Sequence, residues 1–172
     1  THGDVDLDGT VVADVADVTI TAGDDVTTDD TITGNTDVTM TAGDDMTVNA
    51  QVTAVTGDID LEATAGDLVT GVNGDLVASA GAVEADAGLS ITTNGTIGTV
   101  AVPTGTTIEI GQDIAPTGSV TLNDTLTAGT GTNSNITIVG TEGTVLQVAG
   151  RDMTSGGNVT IGSGGTLTVM GA

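Results

Sequence analysis

The side chains able to do chemistry in this 172-residue chain are almost all carboxylates: 24 Asp and Glu stand against one basic residue, Arg151, and the formal net charge is −23. Their most suggestive placement is in pairs. Asp24-Asp25 and Asp44-Asp45 occupy matching segments twenty residues apart, with Asp67 at the next related position. Stacked on successive turns of a repeat, these groups would lie about 5 Å apart, where like charges repel. Solvent and salt must then screen them, or each Asp must hydrogen-bond a turn backbone, or divalent cations must bridge the turns. The turn role is the stronger expectation. Asp24, Asp25, Asp44, Asp45 and Asp67 are the candidate metal ligands, with calcium as the ion. No cofactor is required.

Other constellations carry less. Asp4, Asp6, Asp8 and Gly9 match the start of a calcium-binding EF-hand loop, but Val15 stands where its closing Glu belongs. Val5 and Leu7 fit inward positions of an ordinary strand with outward Asp. The Thr-x-Thr pairs Thr19/Thr21 and Thr39/Thr41 have the form of an ice-binding threonine array, yet the next unit carries Asp60 and Glu62 there. Thr favours exposed strand positions for its β-branching alone. A catalytic β-helix acting on polysaccharides would need carboxylates grouped with basic groups and aromatic sugar platforms. The chain has no aromatic residue and no Lys, and its one His is His2. The expectation is therefore a protein that is not an enzyme. Arg151 reads as an ion-pair partner, and the sequons at Asn94, Asn123, Asn135 and Asn158 as chance in a Thr- and Asn-rich chain.

A field this negative repels nucleic acid and anionic membranes, so neither is an expected partner. The 37% hydrophobic content argues against a disordered acidic tail. With no Cys there is no disulfide framework. No signal peptide, membrane span or lipidation motif is visible. Because the chain starts at Thr1, a processed product or a segment of something longer is expected.

The elements that must position the carboxylates are written in a repeat. DVTITAGDDV (Asp17 to Val26) recurs as DVTMTAGDDM (Asp37 to Met46), differing only at Ile20/Met40 and Val26/Met46. DIDLEATAGDL (Asp58 to Leu68) reads as a third copy and DLVASAG (Asp75 to Gly81) as a fourth. DVDLDG upstream, and SVTL (Ser119 to Leu122), NITI (Asn135 to Ile138) and NVTI (Asn158 to Ile161) downstream, read as relatives. Alternation puts Val18 and Ile20 on one face and Thr19 and Thr21 on the other, before a small-residue turn. Second and third short strands centre on Val26 and Ile32, matched by Met46 and Val52. Such a coil cannot bury its own apolar side chains, but stacking places Val18 over Val38 over Ile59. The fold class is thus all-β, a parallel β-helix (β-solenoid) of about 20 residues and three short strands per coil, around one aliphatic core. It reads as one continuous domain: coils over 1–99, an irregular coil or seam over 100–118 that contains Pro103 and Pro116, and coils over 119–172.

Units of the form GD-[VIL]-x-[LIM]-x-A-x-G resemble the hemagglutinin-type repeats of filamentous-hemagglutinin-like bacterial adhesins over most of the chain. The resemblance implies a right-handed β-helix exported to the cell surface, often as the shaft of a longer fibre. The secretion domain that usually precedes such shafts is not recognisable. The expected function is a structural, non-catalytic subunit or shaft segment of an extracellular filament or surface adhesin. Its partners are other copies stacked head to tail, the continuation of a longer chain, or a host or neighbouring-cell surface. The alternatives are a calcium-binding or ice-binding solenoid module and, behind them, a carbohydrate-active β-helix.

Overall fold

The computed structural model describes residues 3–98, 107–131, 133–140, 145–147, 152–163 and 167–169. Among them there is no helix, and every strand pairing is parallel. The chain winds through three sheets in turn, of eight, seven and seven strands, so that each coil adds one strand to each sheet. The strands are short. Val26–Thr28 and Ile32–Gly34 have three residues, while Val38–Ala42 and Ile59–Ala63 in the third sheet have five. Each alternates buried and outward positions, and Gly, Asp or Asn marks the corners.

The register stacks like on like. In the third sheet Val18 pairs with Val38 and Val38 with Ile59, the ladder expected from the repeat. In the first sheet Val26, Met46, Leu68, Ile91 and Val120 form a wholly buried column. No aromatic residue is needed because three strands per coil enclose a narrow interior that Val, Ile, Leu, Met and Ala fill. The second inward column of the first sheet is less uniform, running Leu7, Thr28, Val48, Thr70, Thr93, Leu122. The three threonines in it are fully buried.

Two details of the repeat are corrected. DLVASAG is not the fourth third-sheet copy: Leu76 pairs with Val52, which places the Leu76–Ala78 strand in the second sheet. The strand stacked on Ile59–Ala63 is Val83–Ala87. Likewise the SVTL segment belongs to the first sheet and NITI to the third, so their separation is a step within a coil. The pattern Asx-apolar-x-apolar opens strands at more than one corner, so matching it alone confuses the sheets. Coil length also drifts. Equivalent corner residues lie 20 apart at Asp25 and Asp45, 22 at Asp45 and Asp67, and 29 at Asn94 and Asn123. The mean is about 23 residues per turn.

Of the irregular stretch over 100–118, residues 107–118 are described. Ile108–Ile110 continues the third sheet between Val83–Ala87 and Ile136–Gly140. The chain leaves the sheet at Gly111, whose φ of +67° suits a residue without a Cβ. It then crosses to Gly118, whose N–H donates to the Leu89 carbonyl over 2.6 Å.

Candidate functional site

The corner carboxylates are built into the stacking. Asp45 donates its N–H to Asp25 Oδ1 (3.0 Å), and Asp67 donates to Asp45 Oδ1 (2.8 Å). Each side chain thus accepts an amide from the coil that follows. The corner before the third sheet repeats the device: Asp58 donates to Asp37 Oδ1 over 2.8 Å and Ala82 to Asp58 Oδ1 over 2.6 Å. Asp17, at the start of that row, accepts from the Thr36 hydroxyl and then from the Asp37 N–H, which together hold its carboxyl below the usual range. Glycine makes room for the carboxylate below. A Cβ on Gly66 would overlap Asp45 Oδ1 and lie 2.7 Å from the Asp44 carbonyl carbon, and one on Gly57 would overlap Asp37 Oδ1.

This geometry sorts the five sequence candidates. Asp25 and Asp45 carry the ladder, and Asp67 joins it through its amide. Asp24, Asp25 and Asp44 bring carboxylate oxygens within 4.8 Å of one another. Partial desolvation, followed by repulsion from Asp45, Asp25, Asp24 and Asp67, raises the Asp44 carboxyl above its ordinary range. All five negative charges therefore share one corner. A second close group joins Asp6 and Asp8 to Asp29 of the next coil, all exposed. Val5–Leu7 is a strand with Asp6 facing outward, so the EF-hand-like string does not form a loop.

A larger acidic surface lies on the outward face of the third sheet. The threonine rows end where expected, Thr39 pairing with Asp60 and Thr41 with Glu62. Beyond them Asp60, Glu84 and Glu109 stack in one row, and Glu62 and Asp86 in the next. A groove of about 230 Å³ opens along this face, lined by Asp37, Asp58, Asp60 and Glu84. Desolvation, then repulsion by Asp86, Asp113, Asp60 and Glu109, pushes Glu84 up to about 7. Burial raises Asp60 also, with Glu62 the first contributing charge.

Asp86 is the most enclosed carboxylate among the described residues, 3 % exposed. The loop after Gly111 folds over it and donates the backbone N–H groups of Ile114, Asp113 and Gln112. Burial outweighs these donors, Asp113 adds repulsion, and Asp86 is pushed up to about 6.

Reasoning from sequence missed Glu84, Asp86, Glu109 and Asp113. The signal was present in VEADA, whose acidic i, i+2 pair repeats that of DIDLEA. It was obscured because DLVASAG looked like the better fourth copy.

The arrangement offers carboxylates, backbone amides and hydroxyls, with no basic group among the described residues to polarise or protonate a substrate. Arg151 and His2 lie outside the described residues. The chain matches no known family model, no curated protein and no solved structure.

Proposed function

We propose that this chain is a structural shaft segment of an extracellular or cell-surface filament or adhesin, extended by stacking coil upon coil. The carrying observation is that three in-register ladders run through successive coils with no capping element interposed among the described residues. Coil-on-coil contact is then the main cohesive interaction, and nothing in it distinguishes a coil of the same chain from one of another copy. The first described coil supports this. Its inward residues Val5, Leu7, Val11 and Ala13 are only partly buried, whereas Val26 and Ile32 on the next coil are wholly buried. A further coil, contributed by a longer chain or by a second copy, would cover them and pair the free strand edges.

The strongly acidic exterior suits a fibre that must not coalesce sideways, because like surfaces repel while the uncharged strand edges attract. No catalytic role is proposed. The test is light scattering and negative-stain microscopy of the chain at increasing concentration, with and without calcium. Rods lengthening with concentration are expected, and a monomer under every condition would defeat the filament reading.

A further inference from the structure

Asp86 stands where the strand beside it on one side has already ended. Glu62 is its partner on the preceding coil, but the pairing with Ile108–Ile110 on the following coil stops one residue earlier, at Ala85 and Ile110. The chain turns away at Gly111, whose N–H still donates to the Ala85 carbonyl over 2.8 Å. It is pinned again at Thr117 and Gly118, whose N–H groups donate to the Gly88 and Leu89 carbonyls. Between these pins residues 112–116 lie across Asp86, and the amides of Gln112, Asp113 and Ile114 reach its carboxyl. They leave Oδ1 buried without a hydrogen-bond partner. The charged groups around this carboxyl among the described residues are all acidic. Glu84 lies two positions away on its own strand, Asp60 and Glu62 on the preceding strand, Glu109 on the following one, and Asp113 on the overlying segment itself.

An ionised Asp86 is a poor floor for this segment. One of its oxygens is cut off from water with nothing to meet it, and Asp113 arrives above it with a like charge. We propose that residues 112–116 are a pH-sensitive strap, held down over the third sheet while Asp86 carries a proton and loosened when it gives the proton up. The neutral carboxyl keeps an oxygen for the strap's amides and removes the repulsion. With the strap open, Asp86 meets water and titrates in the ordinary carboxylate range, whereas under the closed strap it is pushed up to about 6. Closure therefore takes up a proton, so acid favours the closed strap and rising pH opens it. Gly111 and the Thr117–Gly118 pins lie outside the moving segment, and the ladders continue in either state. The strap works within one chain and does not depend on the filament reading.

Amide hydrogen exchange of the intact chain, corrected for the intrinsic pH dependence of exchange, reads the strap directly. Gln112, Asp113 and Ile114 should be protected about ten-fold more at about pH 5 than at about pH 8, the change that linkage gives for a carboxyl moved from its ordinary value to about 6. Ladder amides in Ile136–Gly140 should stay better protected than the strap at both values, which marks the opening as local. The carbon-13 shift of the Asp86 carboxyl should titrate with the same midpoint as the loss of protection. Asp86→Asn keeps an oxygen acceptor but cannot ionise, so it should hold the strap equally at both values. Asp113→Asn, at an exposed side chain, should shrink the contrast without abolishing it. Equal protection at both values in the wild type, stronger protection at about pH 8, or a contrast undiminished in Asp86→Asn would overturn the proposal. So would strap amides that exchange only together with the ladder, or an Asp86 titration whose midpoint differs from that of the strap.

Discussion

Among the buried threonines, two identical substitutions should have opposite signs. Thr28 Oγ1 is buried without a hydrogen-bond partner, between Leu7 and Val48 in its column. Thr28→Val keeps the shape and removes an unpaired hydroxyl, so thermal unfolding should show a gain of about 1 kcal/mol. Thr70 sits in the same column, but its Oγ1 accepts the N–H groups of Asn94 (3.0 Å) and Gly95 (3.2 Å). Thr70→Val orphans the Gly95 N–H and leaves the Asn94 N–H only its 3.3 Å bond to the Thr70 carbonyl, so it should cost about 1–3 kcal/mol. A uniform response of the two sites would refute the hydrogen-bond account. Gly66→Ala belongs at this scale too. Its new Cβ must displace the Asp45 carboxylate and meet Asp44 backbone, an overpacking cost of about 1–3 kcal/mol that denaturant titration would register.

For the elements, the acidic rows of the third sheet make a prediction that depends on pH. Glu84 faces Asp60 and Glu109 along its row, with Asp86 and Asp113 nearby, and has no basic neighbour among the described residues. Glu84→Gln should therefore raise the melting temperature at about pH 8 and leave it nearly unchanged at about pH 5, where Glu84 is already protonated. An equal gain at both values would mean that shape, and not charge, limits the site.

These rows also mark where the sequence stops being readable. The columns through Val18, Val38 and Ile59, and the strands at Val26, Ile32, Met46 and Val52, follow from alternation and a clean twenty-residue period. Legibility fails once the step lengthens, because Asp58 finds its partner at Ala82 and not at an acidic residue. The repeated Asx-apolar-x-apolar string then points to Leu76 in the wrong sheet. Similarly, the fold of residues 111–118 over Asp86 depends on a positive-φ glycine and backbone amides, which leave no periodic trace.

For the whole molecule, the balance of shifted carboxyls sets the response to acid. Glu84 and Asp86 titrate near 7 and 6 in the folded chain against ordinary values of 4.5 and 3.8, and Asp60 and Asp44 move the same way. The folded state thus binds protons before the unfolded chain does, so stability rises as pH falls from about 8 to about 5. Asp17 and Asp30 are shifted down by hydrogen bonds, and protonating them below the ordinary carboxylate range removes stability again. The melting temperature in chelator should pass through a maximum on the acid side of neutrality. Added salt should raise it most at high pH, where the repulsion among the acidic groups of a chain with net charge −23 is greatest. A maximum at or above neutrality would contradict the shifts.

The bond from Asn123 Nδ2 to Asn94 Oδ1 measures 2.8 Å across a 29-residue step, close to the 2.7 Å of Asn49 Nδ2 to Asp29 Oδ1 across 20. Corner registration is thus independent of how much chain is spent between corners. Loop length and coil stacking can vary separately, so segments inserted between corners need not interrupt the ladders on either side. A fibre of such coils would then serve as a ruler, presenting inserted segments at intervals fixed by the strand spacing.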